Sequence, residues 1–269
     1  MAHAGATGPG PPASAPLSAR RTYRLVLAYD GTSFHGWQTQ PDLPTVQGLL
    51  VDAARRLFTG EVRVVGASRT DAGVHALRQV ASFATDSSLD PPKLARGLNA
   101  LLPGAVRVLD AREAPPGFDA RRSALGKRYL YLIDRGRIAH PLLGRVAWHP
   151  RFALDVDAMR EALASLRGKH DFSAFCASPG RGRTPTCTVR SARLLSRGDR
   201  VAVVLSADSF LHHMVRNIVG SLVEVGRGAR APSWMSELLA GRDRTRSGPT
   251  APPQGLVLLR VLYGAADRG

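Results

Sequence analysis

Between Gly66 and Ala76 the chain reads Gly-Ala-Ser-Arg-Thr-Asp-Ala-Gly-Val-His-Ala, which sets one carboxylate, Asp71, two residues after Arg69 in a glycine-bounded loop. In an extended segment residues i and i+2 project to the same side, so Arg69 and Asp71 share a surface while Thr70 points away. A neighbouring guanidinium favours and orients an ionised carboxylate, and an ionised Asp is a usable nucleophile. The same residues have a plainer reading: Asp-Ala-Gly is a common turn, in which the carboxylate caps backbone amides and Gly73 supplies a positive φ. Spacing alone leaves both open.

Other residues are able to serve such a carboxylate. In the run Lys127 to Asp134, alternation puts Tyr129, Tyr131 and Ile133 on one face. The two tyrosines are either core aromatics or a ring platform, since a flat ring with a hydroxyl holds a pyrimidine by its π-face and reaches its edge. Farther on stands His212-His213-Met214-Val215-Arg216-Asn217, which reads as part of a long helix from Phe210. Helical spacing gathers His213, Arg216, Asn217, Gly220, Ser221 and Glu224 on a polar stripe and Leu211, Val215, Ile218, Leu222 and Val225 on an apolar one. Adjacent histidines on a helix diverge by about 100° and no His-x-x-x-His pair occurs, so no metal site is expected. Arg216 is placed to meet phosphate or the Asp71 loop. The Arg181-Gly182-Arg183 loop either grips backbone phosphate or is a solvated basic segment.

The flanking runs set where these groups lie. Glu61 to Val65 and Arg78 to Phe83 read as strands, so the Asp71 loop joins two strands. Before them come a strand from Thr22 to Tyr29 and a helical stripe from Val46 to Phe58, capped by Thr45 and ended by Gly60. After them come a helix opened by Asp90 and Pro91, closed by Gly104, and a short strand from Val106 to Leu109. The order is β-α-β-β-α-β, the ferredoxin-like arrangement. It recurs in a strand Lys127 to Asp134, a helix from about Val156 to Arg167 capped by Asp155, two strands around Arg200, the long helix, a short helix Trp234 to Ala240 and a last strand Leu256 to Tyr263. The expected fold is therefore α+β, two ferredoxin-like (RRM-like) domains over residues 20–120 and 121–269, side by side with a central cleft.

The chain's 37 Lys+Arg against 21 Asp+Glu give a formal net charge of +16, a field suited to a polyanion, although biased Arg, Ala and Gly usage is a rival cause. No stretch approaches the ~20 apolar residues that cross a bilayer. Two cysteines, Cys176 and Cys187, make neither a disulfide framework nor a metal spacing, which fits a reducing cytoplasm. Residues 1–19, rich in Ala, Gly, Pro and Ser without an apolar signal region, read as a disordered tail.

The Asp71 loop resembles the signature loop of the tRNA pseudouridine synthases of the A type, with Ser68 where that family more often has Gly. Further likeness lies in Tyr29-Asp30-Gly31, Gly36-Trp37-Gln38, Lys127-Arg128-Tyr129-Leu130-Tyr131, His170-Asp171-Phe172, Arg183-Thr184-Pro185, the His212 block and Gly255-Leu256, spanning Tyr29 to Tyr263. The resemblance implies an isomerase that makes pseudouridine from uridines 38, 39 and 40 of the tRNA anticodon arm, needs no cofactor or metal, and works as a homodimer. It implies Asp71 as nucleophile, Arg69 filling the gap left by the flipped base or orienting Asp71, Tyr129 stacked on the target uracil and Leu256 packed near the base. Trp37 is a core anchor or an RNA platform. The rival readings are a non-catalytic RNA-binding protein of two RRM-like domains, which an aromatic fraction of 6% and the absence of an RNP run oppose, and a metal-dependent phosphohydrolase, which lacks a recognisable ligand cluster.

Overall fold

The computed structural model describes residues 20–58, 61–86, 89–177 and 184–264. The expected tail, the Gly60 helix stop and the Arg181 and Arg183 loop lie outside those residues. Alternation in β1 (Arg21–Tyr29) buries Tyr23, Leu25, Leu27 and Tyr29. There follow α1 (Val46–Leu57), β2 (Val65–Gly66), β3 (His75–Thr85), α2 (Pro91–Leu101) and β4 (Val106–Ala114). The second half runs β5 (Gly126–Asp134), α3 (Val156–Ala164), β6 (Gly168–Asp171), β7 (Thr186–Arg197), β8 (Arg200–Ala207), α4 (Met214–Gly226), α5 (Trp234–Gly241) and β9 (Leu256–Leu262). The Thr45 hydroxyl accepts the Gly48 amide at the start of α1, and the Asp155 carboxylate accepts two amides at the start of α3.

The strands form one sheet in the order β4-β1-β3-β9-β5-β8-β7-β6, with β2 paired to β3 off that path. Within the first half the antiparallel order is β4-β1-β3-β2, and within the second it is β9-β5-β8-β7, so one order occurs twice and β6 extends the far edge. A short parallel pairing joins the halves: His75 with Val257 and Ala76 with Leu258. Farther along β3, Ala81 and Ser82 pair with Gly66 and Val65 of β2. Because β1 covers the other edge of β3, β2 and β9 share one edge and part company along it. The loop of residues 67–74 lies at that fork.

Several expectations shift. Of the run Glu61 to Val65 only Val65 pairs as strand, together with Gly66 after it; the Val64 carbonyl is taken instead by the Gln47 side-chain amide. The short strand from Val106 extends to Ala114, and α3 stops at Ala164. β6, with no apolar alternation to announce it, exists through its pairing with β7. The long helix begins at Met214, because His213 takes a left-handed conformation (φ 60°, ψ 3°) that no helix interior accepts. Its supposed polar stripe is largely interior: Asn217 and Ser221 are fully buried. Asn217 Oδ1 accepts from Arg244 and Thr250, Ser221 Oγ accepts the Gly248 amide, and a Cβ at Gly220 would lie 1.7 Å from the Pro249 carbonyl oxygen. The polar residues thus dock the 244–251 segment onto α4 rather than face water.

Candidate active site

The Asp71 loop is held from behind by neutral hydrogen bonds. The Ala67 amide donates to the Val80 carbonyl at 2.8 Å, and the Trp37 amide to the Thr70 carbonyl at 3.0 Å. Thr70 Oγ1 lies 2.8 Å from the Tyr29 hydroxyl, and Ser68 Oγ 2.8 Å from the Tyr129 hydroxyl, all four side chains being buried. Ser68 and Thr70 therefore turn inward while Arg69 is exposed and Asp71 stays a quarter open, with 26% of its side chain exposed. The Val74 amide donates to the Asp71 carbonyl at 3.1 Å across a turn in which Gly73 has φ 77°, a conformation that suits glycine. So the turn reading of Asp-Ala-Gly describes the backbone, yet the carboxylate itself reaches side chains.

Those side chains all come from the second half. Arg216 Nη1 donates to Asp71 Oδ2 at 3.1 Å, His213 Nε2 stands 3.3 Å from the same oxygen, and His212 Nε2 3.9 Å from Oδ1. Arg216 is oriented by Ala251, whose carbonyl accepts from Nε at 2.8 Å and whose amide donates to the Arg216 carbonyl at 3.1 Å. With 13% of its side chain exposed, Arg216 is a fixed, partly desolvated charge behind the carboxylate. The expectation that Arg69 plays this part is corrected: Arg69 has no hydrogen bond or ion pair among the described residues and points to solvent. Burial lowers the His213 pKa, Asp71 opposes this, and His212, Arg216 and Arg244 lower it further, a balance that favours the neutral ring.

The histidines also depart from expectation. Lying before the helix rather than on it, His212 and His213 bring their rings to 3.9 Å, and with Asp71 they place three ligand atoms within 4.8 Å of one another. A divalent cation would fit that spacing, but it would meet the Arg216 charge on the same carboxylate. His212 and His213 are therefore not diverging helix neighbours.

The site opens into a cleft of about 1160 Å³ lined from both halves, above the roughly 300–1,000 Å³ of a small-molecule pocket. Arg63, Arg69, Arg121, Arg122 and Lys127 line it against Asp71 and Asp208, so the cleft walls carry an excess of positive charge. Tyr129 and Leu256 line it while 5% and 6% exposed. The Tyr129 ring meets Phe210 edge-on at 5.0 Å, and burial pushes its hydroxyl up to about 12, with the Ser68 bond opposing and the Asp71 charge adding. Tyr131 is instead a core residue, its hydroxyl donating to the Pro252 carbonyl at 2.7 Å and its ring packed on Gly255, which sets the backbone from which Leu256 extends. Trp37, 1% exposed and packed on Gly66, is a core anchor whose edge borders the cleft. The supporting parts of Gln79 and of the Tyr29 hydroxyl have no signal in the sequence, whereas those of Ser68 and Thr70 are signalled by their alternation with Arg69 and Asp71.

A sheet forked around an arginine-paired carboxylate in a wide basic cleft is the frame of an enzyme acting on a polyanion. Residues 25–121 and 162–264 match the family profile described as tRNA pseudouridine synthase, and the chain belongs to that family, the isomerases that act on tRNA. Three similar curated proteins bear the name tRNA pseudouridine synthase A. The chain is 47% identical to tRNA pseudouridine synthase A of Myxococcus xanthus over 241 residues, covering 89% of this chain and 91% of that one. It is 44% identical to the enzyme of that name from Syntrophotalea carbinolica, covering 91% and 97%, and 43% identical to the one from Geobacter sulfurreducens, covering 90% and 100%. Among solved structures it is similar to an archaeal box H/ACA sRNP Nop10-Cbf5 complex at 12% identity over 75% of this chain and 44% of that chain, with a TM-score of 0.35. Among the described residues no helix is long and apolar enough to cross a membrane.

Proposed function

We propose that this chain converts uridines 38, 39 and 40 of the tRNA anticodon arm to pseudouridine, with Asp71 as the nucleophile. The observation that carries the reading is the Asp71 carboxylate, fixed by Arg216 at 3.1 Å yet open to a basic cleft that Tyr129 and Leu256 line. In the isomerisation the N1–C1′ bond breaks and a C5–C1′ bond forms, while C5 loses a proton and N1 gains one, so the step needs no oxidant or reductant. Asp71 adds either to uracil C6 or to ribose C1′. A stacked uridine is out of reach of a carboxylate at this depth, so it flips out, at a cost of a few kcal/mol. Tyr129 then receives the base on its ring, Leu256 packs against it, and Arg69, exposed at the mouth, fills the gap or contacts the RNA strand.

The repeated strand order supports reading the halves as two ferredoxin-like domains, 20–120 and 121–269, joined through one sheet. A homodimer, one tRNA touching both subunits, and a cytoplasmic site of action complete the proposal, with no cofactor called for by the chemistry. The test incubates the protein and Asp71→Asn with unmodified tRNA, with and without chelator, and maps pseudouridine by chemical labelling, since the product is mass-silent. Pseudouridine at 38–40 made only by the unaltered protein, chelator or not, is expected. Product at other positions, or from the Asn variant, sinks the reading. A metal requirement belonging to the protein would move the argument to Asp71, His212 and His213 as ligands.

A further inference from the structure

Ser68 stands three residues before Asp71 but faces away from it, into the protein. Gln79 holds it from both sides: Oε1 accepts the Ser68 amide at 3.2 Å and Nε2 donates to the Ser68 carbonyl at 2.6 Å. Gln79 has no exposed surface and is itself fixed, its Oε1 also accepting the Val80 amide at 3.1 Å and its Nε2 also reaching the Tyr29 hydroxyl at 3.4 Å, so the clamp has little freedom to shift. The Ser68 hydroxyl, placed by this clamp, lies 2.8 Å from the Tyr129 hydroxyl. The line of contacts from Gln79 through Ser68 to Tyr129 thus runs from β3 to β5 and crosses between the halves.

The Tyr129 ring has a second restraint, the edge-on contact with Phe210, which limits its tilt from one side only. Its hydroxyl end is fixed by Ser68, its only hydrogen-bond partner among the described residues. We propose that Ser68 is a positioning residue for the reaction: its hydroxyl, clamped by Gln79, holds the Tyr129 hydroxyl and so sets the plane on which the flipped uracil stacks. This rests on the reading of Tyr129 as the base-stacking ring. Without the Ser68 hydroxyl, the Tyr129 hydroxyl is a buried group seeking a partner, and the ring turns as it finds water or the substrate. A uracil stacked on a turned ring still binds, but its reacting carbon is out of line with Asp71, so the loss falls on the chemical step.

A double-mutant cycle of Ser68→Ala and Tyr129→Phe tests this, read by the single-turnover rate of pseudouridine formation and, separately, by tRNA affinity. Ser68→Ala alone is expected to slow the step by about 3- to 10-fold, the worth of one net hydrogen bond, while affinity stays within about two-fold, the pattern of an interaction used only at the transition state. In the Tyr129→Phe background the same change is expected to have no effect, since the hydroxyl it acts through is gone. Ser68→Cys, close in size with a weaker hydrogen bond, is expected to fall between and guards against a folding defect of the Ala variant. Equal slowing by Ser68→Ala in both backgrounds, or none in either while Tyr129→Phe is impaired, overturns the role of Ser68 and leaves that of Tyr129 standing. Tyr129→Phe and Tyr129→Ala proteins that both match the unaltered enzyme overturn the stacking role itself.

Discussion

The loop of residues 67–74 and the segment of residues 210–216 meet at one carboxylate but are built in opposite ways. The loop is tied down by backbone amides, hydroxyls and the Gln79 amide, all neutral and all from its own half except Tyr129. The segment that faces it brings one charge, Arg216, and two titratable rings, His212 and His213, carries His213 in the left-handed region, and leads straight into a buried helix. The contrast separates two tasks: the first half fixes where the carboxylate is, and the second fixes the field it feels. Strained backbone is then found on the side that delivers charge, as is common where a site over-determines geometry.

The harshest break of this comparison is Asp71→Asn, which keeps the loop and its neutral bonds while removing the carboxylate proposed as nucleophile. Pseudouridine formation should fall on the order of 10⁴-fold or more, with tRNA binding retained within a few-fold in a filter or anisotropy titration; substantial turnover would refute the assignment. Next comes Arg216→Gln, which spares the loop and weakens the field, and a loss of roughly 10²–10³-fold in rate is expected, as for removal of a fixed electrostatic donor. Arg69→Gln is the control: exposed and without a partner among the described residues, Arg69 should influence tRNA affinity more than the state of Asp71. If the two arginine variants behave alike, the division of tasks between the halves fails.

Tyr129 sharpens the comparison because it belongs to one half and is held by the other. Tyr129→Ala should weaken base capture as well as rate, since a base–aromatic stack is worth ~1–3 kcal/mol, whereas Tyr129→Phe should spare capture. The smallest effect concerns His213. Its folded-state pKa lies below the ordinary value, so the unfolded chain binds the extra proton first, and stability present above about pH 6.5 declines as pH drops below it. His213→Asn should therefore lose less melting temperature between neutral and mildly acidic pH than the unaltered protein; parallel declines would show that other groups carry the acid sensitivity.

How far such an arrangement is legible from the sequence differs between its parts. Thr45 and Asp155 announce helix starts because capping is local, and β1 and β5 announce themselves by alternation. The inward turn of Ser68 and Thr70 follows from the same two-residue period that exposes Arg69 and Asp71. What stays hidden depends on partners far along the chain. Arg216, 145 residues from Asp71, takes the role that spacing offered to Arg69, because the loop's own period fixes a side and says nothing of what approaches it. His212 and His213 looked like helix neighbours pointing apart, whereas one left-handed residue turns both toward the loop. Asn217 and Ser221 looked solvated, since a polar stripe that docks a buried segment has the same pattern as one that meets water.

The two-residue pairing of β3 with β9 has a consequence for the order in which this molecule comes into being. Domains form as the chain leaves the ribosome, the earlier part first, at about 5–20 residues per second. The strands of the first half can pair while the rest is still being made, and the Asp71 loop can be pinned then by Gln79 and Tyr29. Yet the partner strand of His75 and Ala76 begins only at Leu256, and Arg216 and the Ala251 that orients it also come late. A chain not yet extended past β9 thus lacks the strand that pairs with His75 and Ala76 and the Ala251 that orients Arg216, so the proposed chemistry at Asp71 waits for those residues to be made. Ribosome-arrested chains stopped before residue 250 should hold tRNA without modifying it, a built-in delay between acquiring a substrate and acting on it.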